Sequence, residues 1–133
     1  MPATPPPLPH DPSKQPAFSW RGLLVDSAHT FWPVPAMELF LSLMARYRFN
    51  VLHWRLTDDQ GWRIPVPGFP HLTSVGAQLP RTHHSAGDSA PSSDGVAPLR
   101  RAQAGARHGF YSDSNIRHLV SYAADRKIRI VPE

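Results

Sequence analysis

Three short apolar runs alternating with two amphipathic patterns set the strongest constraint on this chain. The first run, Trp20–Asp26 (WRGLLVD), reads as a strand buried on both faces, as in parallel sheets. Pro35 fits the first turn of a helix, and Met37, Phe40, Leu41, Leu43, Met44 and Tyr47 recur at helical spacing, so Pro35–Arg48 is the first helix. Asn50–Leu56 (NVLHWRL) is a second strand, with β-favouring Val51 and a bulky Trp54. Ser112 is placed to cap a second helix, Asp113–Arg126, with Asp113 in its first turn and Ile116, Leu119, Val120, Ala123 and Ala124 along one face. Ile128–Val131 is a third strand, bounded by Pro132. The order β-α-β-α-β predicts an α/β fold with a parallel sheet and right-handed crossovers. Chemistry in such sheets sits at the carboxyl ends of the strands. Asp26, then Asp58 and Asp59, then Glu133 fall at or just past those ends.

The rest of the sequence bounds this core. Residues 1–17 hold seven of the 16 prolines and read as a disordered, polyproline-like tail, so the domain spans 18–133. Within it, 78–108 is rich in Ser, Ala, Gly, Pro and His and reads as a flexible loop. Pro65, Pro67, Gly68 and Pro70 forbid regular structure beyond the loop that leaves the second strand. What remains is close to the size, roughly 70–80 residues, at which one core is marginal. The absence of cysteine excludes a disulfide scaffold, a Cys-based zinc site and thiol catalysis. The net charge of +4 is scattered, with Arg100-Arg101 its densest pair, and no basic stripe argues for nucleic acid. No apolar run approaches the ~18–20 residues of a membrane span, and residues 1–16 contain no apolar signal core, so the compartment defaults to the cytoplasm.

Asp58-Asp59 is the sharpest chemical feature. Adjacent carboxylates just after an apolar strand can bind sugar hydroxyls, orient a histidine or hold a metal; they equally make turn caps. Trp62 lies close by, and an aromatic beside carboxylates suits the apolar face of a sugar ring, although a loop tryptophan is more often core. His53 and Arg55 alternate along the second strand and share a face, and His29 follows the first strand closely enough to line the same cleft. His83-His84 have no third ligand at metal-site spacing. There is no glycine-rich phosphate loop and no nucleophile elbow.

WRGLLVDSAHTFWPV, NVLHWRLTDDQGWRI, FPHLTSVGA and YAADRKIRIVPE together resemble the family 20 glycoside hydrolases, the β-N-acetylhexosaminidases. The resemblance covers Phe18–Ala77 and His108–Glu133, and it implies the first three strands of a (β/α)8 TIM barrel. The family removes terminal N-acetylglucosamine or N-acetylgalactosamine with retention. Its catalysis is substrate-assisted, with the 2-acetamido oxygen as nucleophile, an Asp orienting it and a Glu as acid then base. No metal or organic cofactor is implied.

On this resemblance Asp58 matches an Asp that hydrogen-bonds a histidine supporting the general acid, and Asp59 its neighbour. The family's sugar-binding arginine lies in a D-x-x-R-H-F pattern. Here Asp26-Ser27-Ala28-His29-Thr30-Phe31 puts His29 at the arginine position and Thr30 at the histidine position, while Arg55 stands where histidine is usual. An imidazole does not reproduce an arginine's bidentate hold on two hydroxyls. The family's PGH motif, its Asp-Glu pair and its sugar-enclosing aromatics lie beyond Glu133, so Asp58 lacks that histidine partner. The chain is therefore expected to be the N-terminal piece of a hexosaminidase barrel, lacking the domain that commonly precedes it. It is expected to act on N-acetylhexosamine glycans only as part of a whole, to be inactive alone and to self-associate through open barrel edges. The rival expectation is a non-catalytic carbohydrate-binding or interaction remnant.

Overall fold

The structure is a computed structural model that describes residues 15–78 and 108–133. The expected tail lies almost wholly outside these residues, as do the 78–108 loop, except its two ends, and His83-His84. The elements in chain order are β1 (Gly22–Asp26), α1 (Val34–Arg46), β2 (Val51–Arg55), α2 (His71–Ser74), α3 (Asp113–Ala124) and β3 (Arg129–Pro132). The strands form one parallel sheet in the order β1-β2-β3.

Side chains alternate across this sheet, and the two faces differ. Leu52, Trp54 and Leu56 turn toward the helices, where Val25, Met37, Leu41, Met44, Leu119 and Ala123 complete a buried core. Met37, Leu41 and Met44 are spaced i, i+4, i+7, and Leu119 and Ala123 are spaced i, i+4, so each helix buries one stripe. The helices also meet through Ser42 Oγ and Tyr122 Oη, 2.9 Å apart, and through His118 Nε2 and Glu38 Oε1, 2.5 Å apart. Asp26, His53, Arg55 and Glu133 lie on the opposite face.

The expectation that the first strand is buried on both faces fails. Val25 is buried, but Leu23 and Leu24 are exposed, because β1 is an edge strand with β2 on one side only. Its ladder starts two residues later than expected. The Arg21 amide donates to Asn50 Oδ1 at 2.9 Å, and Arg21 Nε to Arg48 O at 2.6 Å, which bends the chain before Gly22. Prolines do not end all regular structure after β2 either. Pro70, at φ −62°, precedes the single turn of α2, a position where its missing N–H goes unneeded.

Both crossover helices stop in the same way. Arg48 (φ 62°) and Lys127 (φ 58°) are left-handed residues just past α1 and α3. The next amides, Phe49 and Ile128, bond back to Met44 O at 2.9 Å and Ala123 O at 3.0 Å. Ile128 therefore belongs to the helix stop, and β3 runs one residue later than its apolar pattern suggests. Ser112 caps α3 as expected. Its Oγ accepts from the Asn115 amide at 3.2 Å, and Asn115 Oδ1 accepts from the Ser112 amide at 3.1 Å.

Candidate functional site

The register brings the carboxyl ends of all three strands into one row. Asp26 stands opposite Arg55, and Glu133 continues the ladder on the other side, with its amide bonded to Trp54 O and its carbonyl to the Leu56 amide. Arg55 is the hub. Its guanidinium pairs with Asp58 at short range, and lies 3.6 Å from Asp26 Oδ2 and 3.6 Å from Glu133 Oε1. Each strand end therefore contributes one carboxylate to one cation. Two histidines flank them. His29 Nδ1 lies 2.7 Å from Asp26 Oδ2 and its Nε2 4.0 Å from Asp58 Oδ1; His53 Nε2 lies 2.7 Å from Glu133 Oε2.

The carboxyls are tuned unequally. Burial pushes Asp26 up, but the backbone and side-chain hydrogen bonds from His29, with Arg55 alongside, outweigh it and hold Asp26 below its ordinary value. Asp58 is lowered first by a hydrogen bond from Asp59 and then by the Gln60 amide, 2.9 Å from Oδ1, with Arg55 and His29 adding to the effect. Asp59 is raised by the same hydrogen bond and by the charge of Asp58. The two carboxyls of the pair are thus pushed in opposite directions, Asp58 down and Asp59 up. Asp58 is nearly enclosed, with 5% of its side chain exposed, whereas Asp59 faces solvent.

Trp62 is half-buried. Its amide donates to Gly76 O and its indole Nε1 donates to Ile64 O at 2.8 Å, so the polar end of the ring serves the loop itself. Sequence reasoning set Asp26, Asp58, Asp59 and Glu133 at the strand ends with His29 lining the same cleft; the structure groups Asp26, Asp58, Glu133 and His29 around Arg55, with Asp59 facing solvent.

Sequence reasoning missed the residues beneath them. Arg63 is fully buried. Its Nε donates to Ser27 O at 2.9 Å, Nη1 to Ala77 O at 2.8 Å and Gly109 O at 3.0 Å, and Nη2 to Ala28 O at 2.8 Å. Burial lowers its pKa. Beside it runs a hydrogen-bonded chain. Trp54 Nε1 donates to Ser27 Oγ at 2.9 Å, Ser27 Oγ lies 3.1 Å from Tyr111 Oη, and Tyr111 Oη donates to Trp32 O at 2.5 Å. Burial pushes the Tyr111 phenol up to about 12. An arginine inside a run of loop residues carries no periodic signal; the nearest hint was its place directly after Gly61-Trp62. Among the described residues no group of three His, Asp or Glu is arranged to hold a metal.

The loop sequences match known proteins along the length of the domain. The profile "Glycosyl hydrolase family 20, catalytic domain" matches residues 18–133. A beta-hexosaminidase of Akkermansia muciniphila is 40% identical over 119 residues, covering 90% of this chain and 20% of that protein. The N,N'-diacetylchitobiase of Vibrio harveyi is 34% identical over 129 residues, covering 89% and 13%. Among solved structures, an exo-β-N-acetylglucosaminidase from Vibrio harveyi in complex with N-acetylglucosamine superposes with a TM-score of 0.67 at 30% identity, covering 89% of this chain and 17% of that one. A second beta-N-acetylhexosaminidase gives a TM-score of 0.66 at 40% identity, covering 89% and 21%. The chain thus spans about a fifth or less of the length of these relatives. Their catalytic domains are TIM barrels, and the three parallel strands with their helices are part of that architecture. With the profile running from Phe18 to Glu133 and the strand ends carrying its loops, the chain belongs to glycosyl hydrolase family 20, within the catalytic domain.

Proposed function

We propose that this chain forms one wall of the sugar site in a β-N-acetylhexosaminidase that releases terminal N-acetylglucosamine or N-acetylgalactosamine by retaining, substrate-assisted catalysis. Asp58 is a supporting carboxylate, His29 and Asp59 offer polar contacts to sugar hydroxyls, and the exposed part of the Trp62 ring offers an apolar one. The observation that carries this reading is the row of three carboxylates around Arg55 at the strand ends, in a chain of this family. Asp58 and Asp59 set two carboxyl groups side by side, one enclosed and one facing solvent, which suits the paired hydroxyls of a diol.

The 133 residues alone do not turn over a glycoside in this reading. Asp26, Asp58 and Glu133 are all engaged by Arg55 or a histidine, which leaves none of them free to reach a glycosidic oxygen. The test is the purified chain with a chromogenic N-acetylglucosaminide. Turnover above buffer that disappears in an Asp58→Ala control refutes inactivity. Titration with N-acetylglucosamine followed by NMR is expected to move signals near Asp58 and Trp62, and no movement there refutes the sugar wall.

One observation favours a binding module without catalysis. His29 Nδ1 is held by Asp26 at 2.7 Å, while Nε2, 4.0 Å from Asp58 on a side chain 41% exposed, stays open to a hydroxyl. Self-association is also part of the proposal. A groove of about 650 Å³ lies between the free edge of β1 and α1, lined by Leu24, Leu39, Phe40 and Leu43 among others. Sedimentation is expected to show oligomers; a monomer with one sharp unfolding transition argues against them.

A further inference from the structure

We propose that Arg63 is the positioning residue that fixes the spacing between the His29 loop and the Asp58 loop. Among the described residues, four carbonyls that accept from it come from three separate stretches: Ser27 and Ala28 after β1, Ala77 after α2, and Gly109 before α3. Arg63 itself belongs to the loop after β2, where its amide donates to Leu56 O and its carbonyl accepts from the Tyr111 amide at 2.7 Å. One planar fork thus ties together the loops after two strands and the entry to α3. The carbonyls it takes after β1 belong to residues with no exposed surface, so nothing but a buried donor satisfies them.

The contact it maintains is close. A Cβ on Gly61 would fall 2.2 Å from Ala28 O, so the turn that starts at Asp58 rests directly on the backbone preceding His29. With that backbone held, the His29 amide donates to Asp26 Oδ1 at 3.0 Å, and the ring sits between Asp26 and Asp58. A lysine has one ammonium on a flexible stem and cannot span acceptors that fan out from both edges of a guanidinium. The geometry assigns Arg63 no contact with substrate. Its effect on sugar binding follows only if the site reading above holds, whereas its effect on the loops does not depend on that reading.

The test is amide hydrogen exchange on the full 133-residue chain, comparing the wild type with Arg63→Lys and Arg63→Met. Exchange in residues 27–32 and 57–62 is expected to quicken by roughly tenfold or more in Arg63→Met and by less in Arg63→Lys, while β2 and α3 keep their wild-type rates. Equal quickening in β2 and α3 would mean that Arg63 only adds to global stability, and that result overturns the proposal. So does unchanged loop exchange. If neither variant folds, the unmodified chain still decides. The Arg63 Nε–H is expected to exchange with solvent far more slowly than that of exposed Arg117, and equal rates overturn the proposal. Adding N-acetylglucosamine to the wild type separates the two readings. No slowing of the same loops, with the Arg63 pattern intact, removes the sugar site and leaves the positioning role standing.

Discussion

Tyr111→Phe isolates the buried hydroxyl chain without opening a cavity. The ring stays, and with it the contacts to Phe31 and Trp54 at centroid distances of 4.8 Å each. What goes is one oxygen with a defined place in the chain. Tyr111 donates to Trp32 O, so its acceptor side faces Ser27, and Ser27 in turn accepts from Trp54. The substitution therefore strands two groups, the Ser27 hydroxyl hydrogen and the Trp32 carbonyl. A buried orphan costs about 1–3 kcal/mol, against about 1 kcal/mol for an ordinary hydrogen bond. Ser27 has no exposed surface and stands near the upper end, while Trp32 is only partly buried and stands near the lower. The expected loss is about 3 kcal/mol, a large share of what a small domain holds. Urea unfolding followed by tryptophan fluorescence measures it, and Ser27→Ala in the same background should couple with it instead of adding to it.

A second arm reads the same group by pH. The folded phenol titrates near 12 and the unfolded one near its ordinary 10.0, so the raised value contributes stability in full below pH 10. That contribution is lost as pH climbs toward 12, because only the unfolded chain gains the phenolate. Two pH units correspond to about 3 kcal/mol, and Tyr111→Phe removes this alkaline loss. A variant within about 0.5 kcal/mol of wild type, with the same alkaline slope, refutes the chain of hydroxyls.

Two further outcomes test the surface of the site and the start of α3. Arg55→Met leaves the carboxylates of Asp26, Asp58 and Glu133 facing one another, so it should destabilise the chain at pH 7. In the wild type the lowered carboxyls contribute stability above their ordinary 3.8, which is lost as pH falls through their folded values. The gap between variant and wild type should therefore close as pH drops from 7 toward 3, and a pH-independent gap contradicts the hub. Ser112→Ala removes the cap of α3 and should cost about 1 kcal/mol in a urea melt, with faster exchange of the Asn115 amide. Ser112→Thr should retain most of it.

The sequence showed the elements more clearly than their surroundings. Helix stripes such as Met37, Leu41 and Met44 are local periodicities, and a parallel β-α-β-α-β order follows from their alternation with apolar runs. The carboxylate row was readable for the same reason, since strand ends in a parallel sheet share one edge. Burial is not local. Leu23 and Leu24 look like interior residues until the pairing shows that β1 is an edge. Arg63 and Tyr111 sit in stretches with no period, and what defines them is carbonyls contributed from far along the chain. Trp62 reads as a sugar platform from its neighbours, and what the sequence does not show is the bond from its indole N–H to Ile64 O that orients the ring.

The left-handed residues that end α1 and α3 have a consequence of parity. Arg48 and Lys127 fix how many residues separate each helix from its strand, and a strand's side chains change face at every step. Inserting one residue after Arg48 would leave the apolar content of the chain untouched. With the backbone of β2 held in place, it would also turn His53 and Arg55 into the core and Leu52 and Trp54 to the outside. Whether this chain has a polar row at all is thus decided by an even or odd count between a helix stop and a strand, before any one side chain in the row is considered.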